Sequence, residues 1–218
     1  MILEKKDSAG AESTPKQEIK SLLPADFSLD DLKKEKGGHF NEERLIEKIN
    51  FDFLGEKWVA TIIIEVLEDS KFILEVYMEV LNSTEPEVIF LVEFNKGQGE
   101  IGHRWVHEKK RGKGLGAVAV KTLEDLAKRI QQTNFLNFEV EKIGVKATRL
   151  ASVVQLFISH NWLKQNGLAG FIKGMDLEYI PCNSAEEVEQ VLRAGYQESK
   201  EVFKKRKELP AIKLEKNL

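Results

Sequence analysis

Trp105-Val106-His107-Glu108-Lys109-Lys110-Arg111-Gly112-Lys113-Gly114-Leu115-Gly116 is the stretch on which the fold turns. It lies between an alternating, strand-like run at 101–107 and an apolar stripe at 117–132 made by Val120, Leu123, Ala127 and Ile130 at helical spacing. Three glycines, Gly112, Gly114 and Gly116, remove the Cβ atoms that would hold a ligand off the backbone. A helix that starts here aims unpaired N–H groups and its positive dipole end at the same point. Arg111 and Lys113 add mobile positive charge. The reading is strand, glycine loop, helix, with the loop as a pyrophosphate cradle. Glu124 with Lys128, and Asp125 with Arg129, are i,i+4 pairs in the favoured order and predict a solvated outer helix face.

Upstream, the apolar residues alternate with period two. Trp58, Ala60, Ile62, Ile64 and Val66 share one face, as do Phe72, Leu74, Val76, Met78 and Val80, and then Val88, Phe90, Val92 and Phe94. Turn signals at 68–70, 82–86 and 95–99 are short enough for hairpins, so an antiparallel meander is expected. Before it, residues 18–23 read as a short first strand. Ser28-Leu29-Asp30-Asp31 has capping-box character before Leu32, and Asn41 can cap a second helix through Ile49, with Gly37-Gly38 between the two. Downstream, 135–140 alternates as a strand that, joined through a helix, should run parallel to 101–107. A helix at 153–162, a hairpin turn at Asn166-Gly167 and a closing strand at 171–180 follow. Asn183 or Ser184, with Glu186 and Glu187, starts an additional helix that ends in Lys204, Lys205, Arg206 and Lys207.

The segment from Trp105 to Gly116 resembles the acetyl-CoA signature of the GNAT acetyltransferase superfamily. Arg111, Gly114 and Gly116 stand in the R/Q-x-x-G-x-G/A positions and Val106 lies five residues before the arginine, while Glu108 replaces a proline common in the family. The order β-α-α-β-β-β-β-α-β-α-β-β agrees with that fold. The resemblance implies an α/β protein: a mixed, mostly antiparallel twisted sheet flanked by helices on both faces, with an extra C-terminal helix. Its strands at 101–107 and 135–140 would splay to admit pantetheine. It implies acetyl transfer from acetyl-CoA to a primary amine by direct attack. Arg111, Gly112, Lys113, Gly114, Leu115 and Gly116 would hold the pyrophosphate, and the backbone of Val106 and His107 would pair with pantetheine and polarise the thioester.

The family's N-x-x-A-x-x-L-Y-x-x-x-G-F segment corresponds here to Leu150-Ala151-Ser152-Val153-Val154-Gln155-Leu156-Phe157-Ile158-Ser159-His160-Asn161-Trp162. Phe157 therefore occupies the position of the tyrosine that commonly protonates the departing thiolate, and a phenyl ring has no proton to give. The expectation is that Phe157 lies beside the cofactor sulfur and that solvent or another group supplies the proton. Candidates for the base that deprotonates the amine are Glu93, Glu100, His103, His107 and Glu108, with Glu100, His107 and Glu108 carried furthest. Phe157 and the long C-terminal helix also motivate a non-catalytic reading, a CoA-binding sensor or scaffold.

Other readings of the same residues are open to test. Gly114-Leu115-Gly116-Ala117-Val118-Ala119 fits a G-x-G-x-x-A dinucleotide pattern, which predicts a nicotinamide cofactor. That fingerprint wants a hydrophobic strand entering the first glycine, whereas Glu108-Lys109-Lys110-Arg111 intervenes. No Gly-Lys-Ser/Thr closes the loop, so it is not a P-loop. His103 and His107 flank Trp105 in register, but with no third ligand identifiable they read as ordinary strand histidines, and no metal is expected.

At 218 residues, 42% hydrophobic and 32% charged, the chain can bury one core. The expected organisation is a flexible tail at 1–16, the acetyltransferase-like domain at 17–182, a helix at 183–208 and a tail at 209–218. Cys182 is the single cysteine, which excludes an intrachain disulfide and a cysteine metal cluster. A net charge of -3 gives no overall pull toward nucleic acid. No apolar run approaches membrane length and Met1 to Asp7 has no signal-like core, so a cytoplasmic location without membrane association is expected. The C-terminal helix, with Val188, Val191, Leu192 and Val202 needing cover, suggests a homodimer contact.

Overall fold

The computed structural model describes residues 19–36, 43–67, 71–83, 85–147, 167–173, 178–182 and 211–218. These form β1 (Lys33–Lys36), β2 (Glu43–Phe53), β3 (Glu56–Val66), β4 (Lys71–Val80), β5 (Val88–Asn95), β6 (Gly97–Val106), α1 (Leu115–Thr133), β7 (Val140–Ala147), β8 (Gly167–Lys173), β9 (Glu178–Cys182) and β10 (Ala211–Asn217). The strands make one sheet in the order β1-β2-β3-β4-β5-β6-β7-β10-β8-β9. Every neighbouring pair is antiparallel except β6 and β7, the two strands that α1 connects.

The meander follows from its alternation. Trp58, Ala60, Ile62 and Ile64 of β3, Phe72, Leu74, Val76 and Met78 of β4, and Val88, Phe90, Val92 and Phe94 of β5 are all buried on one face. α1 lies on that face across β4, β5 and β7, its Leu123, Leu126, Ala127 and Ile130 in the same core. Phe72 stacks on Phe94 at 4.6 Å and on Phe138 at 4.3 Å, which ties the meander to the chain leaving α1. Two hairpins turn through pairs of positive-φ residues, Leu54-Gly55 (φ 51 and 78) and Lys96-Gly97 (φ 49 and 76), the handedness that matches strand twist.

Gly99 shows how tightly β6 is packed. A Cβ there would lie 2.7 Å from two atoms of the Phe94 ring and 3.0 Å from Val92 Cγ1. Phe94 is fully buried and already stacked, so it cannot yield. Gly99→Ala is expected to lower the unfolding free energy by about 1–3 kcal/mol, read by urea denaturation. A loss within error would show that the ring has room to move.

Several expectations are corrected. Residues 28–50 do not form two helices: Ser28 caps only a 3-10 turn at Leu29–Asp31, and β1 and β2 follow, with 37–42 outside the described residues. Residues 19–23 are not a strand. They begin a strap over α1, where the Leu22 N–H donates to Thr122 Oγ1 (3.1 Å) and Arg129 donates to the carbonyl oxygens of Phe27 and Pro24. That strap, and a buried pair between Glu124 and Lys216 of β10, replace the solvated outer face expected of α1. Lys121 pairs with Asp125 at 2.8 Å.

The strand placed at 135–140 starts only at Val140, because Asn134 (φ 50) and Asn137 (φ 57) take left-handed turns around a 3-10 turn at Phe135–Asn137. The closing strand at 171–180 is two strands, β8 and β9, and the tail at 209–218 is β10, inserted between β7 and β8. Among the described residues, α1 is the single α-helix and it covers one face of the sheet. The helices expected at 153–162 and 184–207, and with them Phe157 and Asn166, lie outside the described residues.

Candidate functional site

β6 and β7 run side by side only briefly. Their parallel pairing begins at Gly97 with Val140 and ends at Glu100 with Gly144. β6 continues through Val106, whereas β7 turns its other edge to β10, with Ala147 opposite Ile212. A bulge sits where the strands part: Val92 faces Ile101 but Leu91 faces His103, so Gly102 is the extra residue. The buried-exposed alternation of β6 breaks at that residue. Among the described residues, the edge of β6 beyond Glu100 has no strand partner, and the gap this leaves beside β7 lies on the side of β6 that leads to the glycine loop.

The ladder with β5 tells which backbone groups look into the gap. Val88 faces Val106, and the His107 N–H donates to the Glu87 carbonyl at 2.8 Å, the pattern of a non-hydrogen-bonded pair at Val106. The N–H and C=O of Val106 therefore point away from β5, toward the open edge. Arg111 Nε donates to that carbonyl at 3.0 Å. His107 differs: its N–H is held by Glu87 and its carbonyl accepts from the Lys110 N–H at 2.9 Å. Both backbone groups of His107, expected to pair with pantetheine, thus already have a partner within the chain, and Val106 is the residue whose polar groups face the gap.

After Val106 the chain makes a 3-10 turn at Glu108–Lys110 and enters the loop. Gly112 (φ 74) and Gly114 (φ 92) are both left-handed, a conformation that side chains resist. A Cβ at either would meet nothing within 4 Å among the described residues, so the loop does not pack on that part of the protein. Gly114 is the N-cap of α1, its carbonyl accepting from Ala117 and Val118 at 3.0 and 3.1 Å. Leu115, 1% exposed, anchors the loop in the core. The N–H groups of Leu115 and Gly116 fall in the first turn, where no intrahelical acceptor exists. Arg111 and Lys113 are exposed beside them. Lys110 is drawn off: its Nζ lies 2.6 Å from Glu56 Oε2 and 4.9 Å over the Trp58 ring. That hydrogen bond holds the Glu56 carboxyl below its usual range.

The candidate bases fall into two groups. Glu93 and Glu100 face each other across β5 and β6 on the side away from α1, and His103 follows on that side past the bulge; all three are exposed. Glu100 stands at the residue where β6 and β7 part. His107 and Glu108 lie instead at the loop. His107 Nδ1 is 3.3 Å from Glu87 Oε2 and 3.4 Å from the Lys109 N–H, and one nitrogen can donate to the first or accept from the second, not both. Among the described residues, no group of three or more His, Cys, Asp or Glu could hold a metal ion.

Sequence reasoning missed the polar residues within the sheet. Arg44 lies across from Glu65 with a 3.2 Å ion pair, and Glu65 and Glu75 are 1% and 3% exposed. Tyr77 adjoins them, its hydroxyl pushed to higher pKa first by burial and then by its hydrogen bond to Glu75. The signal was present as single glutamates, Glu65 and Glu75, set within otherwise apolar runs of β3 and β4. Arg104, half-buried beyond the bulge, has its proton affinity lowered by burial, partly offset by Glu100.

Fold and loop together define a mixed-sheet protein with a gap between two parallel strands that ends at a helix N-terminus. No protein-family model and no curated protein matches the chain. Among solved structures it is similar to a Klebsiella pneumoniae protein provisionally named an acyl-CoA N-acyltransferase. The identity is 13% over 70% of this chain and 76% of that one, with a TM-score of 0.34. A likeness that loose carries no argument about what this chain does. Among the described residues, no helix is long and apolar enough to cross a membrane.

Proposed function

We propose that the chain transfers an acetyl group from acetyl-CoA to a primary amine. The observation that carries this reading is the gap between β6 and β7 running into the left-handed glycine loop at the start of α1. A coenzyme with a diphosphate at one end and an extended, amide-bearing arm at the other matches both parts. The diphosphate fits N–H groups at a helix N-terminus with Arg111 and Lys113 beside them. The arm fits the edge of β6 that has no strand partner among the described residues, with the N–H of Val106 as a donor. A dinucleotide would use the loop but has no need of the parted strands.

In the reaction the amine nitrogen attacks the thioester carbonyl, the C–S bond breaks, and the thiolate leaves and takes up a proton. The amine sheds a proton to a base, and Glu100 is our candidate because the pairing of β6 with β7 ends at that residue. A thiol with pKa near ~8.5 leaves readily, so the absence of a tyrosine at Phe157 is tolerable chemistry. The chain works largely by positioning.

The test is direct. Acetyl-CoA should raise the melting temperature, and thiol release should appear when amines are added. No shift at millimolar acetyl-CoA would remove the reading. A shift without thiol release over a broad amine panel would leave a CoA-binding module in its place.

A further inference from the structure

Building on the acetyl-CoA reading, we propose that Arg111 selects the donor. Its guanidinium holds the Val106 carbonyl, the acceptor the pantetheine arm would use, until a diphosphate draws it off, so a thioester without a diphosphate meets an occupied strand edge. Arg111 Nε donates to the Val106 oxygen at 3.0 Å, in an exposed bond between residues five apart in the chain. The turn at Glu108–Lys110 brings the two together. Within it the Lys110 N–H donates to the His107 carbonyl at 2.9 Å and the Arg111 N–H to that of Glu108 at 3.2 Å, which folds the chain back on the end of β6.

That bond and the arm compete for one place. The register against β5 turns the Val106 carbonyl toward the edge of β6 that has no strand partner among the described residues. An extended chain added at such an edge runs about 5 Å out and donates its own N–H to the oxygen. A guanidinium nitrogen 3.0 Å from the same oxygen stands in that path. The oxygen has a second lone pair, but an arm lying along the edge needs the space as well as the acceptor.

A diphosphate is the group that shifts this contest. A solvent-exposed hydrogen bond to a carbonyl is a weak hold, whereas the paired bonds a guanidinium makes to phosphate are stronger and more directional. Arg111 directly precedes the left-handed Gly112 of the loop, so the anion and the carbonyl lie on either side of one residue. Lys110 does not share the task, since Glu56 holds its Nζ at 2.6 Å. Moving from carbonyl to diphosphate, Arg111 would free the strand edge at the moment the donor's other end binds.

The experiment measures the affinities of acetyl-CoA and of S-acetylpantetheine for the full chain, Arg111→Ala and Arg111→Gln by calorimetric titration. Arg111→Ala should weaken acetyl-CoA by roughly 10- to 100-fold and strengthen S-acetylpantetheine by roughly 5- to 10-fold, the opposite signs of a phosphate bond lost and an obstacle removed. Glutamine carries its amide nitrogen as many bonds from Cα as arginine carries Nε. Arg111→Gln therefore keeps the hold on the carbonyl and loses the charge, and it should weaken acetyl-CoA without any gain for S-acetylpantetheine. Saturating inorganic pyrophosphate should tighten S-acetylpantetheine binding to the full chain by a similar factor and have no such effect in Arg111→Ala. Loss of both ligands in Arg111→Ala would make the residue a prop for the loop, and loss of acetyl-CoA with S-acetylpantetheine unchanged would make it a phosphate ligand alone. Either result overturns the proposal, as does an equal gain in Arg111→Gln or a pyrophosphate effect that survives Arg111→Ala. Failure of the full chain to bind acetyl-CoA would strike the parent reading, and this selection with it.

Discussion

Lys216→Ala is expected to cost about 3–5 kcal/mol of unfolding free energy. Lys216 projects from β10, opposite Ile143 of β7 and Gly167 of β8, and its Nζ meets Glu124 Oε2 of α1 at 2.5 Å. The two side chains are 5% and 3% exposed. Removing the lysine strands a buried carboxylate, whose desolvation is then uncompensated. Replacing both with leucine should restore most of the loss, because the attraction of a buried pair scarcely exceeds the cost of drying its members.

Lys216 itself carries the sign of that balance. Burial lowers its pKa more than Glu124 raises it. The unfolded chain therefore binds this proton more tightly than the folded one, and the lysine's contribution to stability rises with pH on the approach to ~10.4. Chemical denaturation of the two variants at neutral and alkaline pH checks both statements. A Lys216→Ala loss below about 1 kcal/mol would mean that the pair is not closed to water.

The same pair shows where the sequence was legible and where it was not. Period two over 58–94 was unambiguous because one face of three successive strands carries almost nothing polar, and β3, β4 and β5 appear with the expected faces. The glycine loop and α1 were equally readable, since loop and stripe are local features. Residues 43–53 were not. Leu45 and Ile49 fit a helical spacing of four, yet Leu45, Ile49, Phe51 and Phe53 also fit a spacing of two. The choice is made by ten cross-strand partners running from Arg44 with Glu65 to Phe53 with Glu56, which no local signal encodes. The turn that allows this pairing places Leu54 at φ 51, where asparagine or glycine is usual, so it gave no warning.

β10 escaped for a related reason. Ile212 and Leu214 are too few to mark a strand, and the chain enters the sheet there only because β7 and β8 offer edges on either side. With Glu124, helix periodicity and i,i+4 pairing predicted water where the fold brings Lys216 from a distant part of the chain. For the site, sequence placed the loop and the residues flanking it. The unequal lengths of paired strand that open the gap are a property of register and could be seen only in three dimensions.

Gly114→Glu is expected to lower acetyl-CoA affinity by roughly 10²- to 10³-fold, enough to abolish its thermal shift at ordinary concentrations. Each charge-assisted hydrogen bond to a phosphate contributes about 1.5–3 kcal/mol, and a carboxylate at the N-cap both displaces the phosphate and repels it. Two costs must be separated, because at φ 92 any side chain is strained whatever the ligand. Gly55 supplies the control. It has φ 78 and, like Gly114, nothing within 4 Å of an added Cβ, but it lies in the β2–β3 turn rather than in the loop. Gly55→Glu should therefore lose a comparable ~1–2 kcal/mol of stability while keeping the full acetyl-CoA shift. Calorimetric titration of both folded variants reads the difference. Equal acetyl-CoA affinities in the two would remove the diphosphate from the glycine loop, and with it the only role that explains why this loop is open, left-handed and flanked by Arg111 and Lys113.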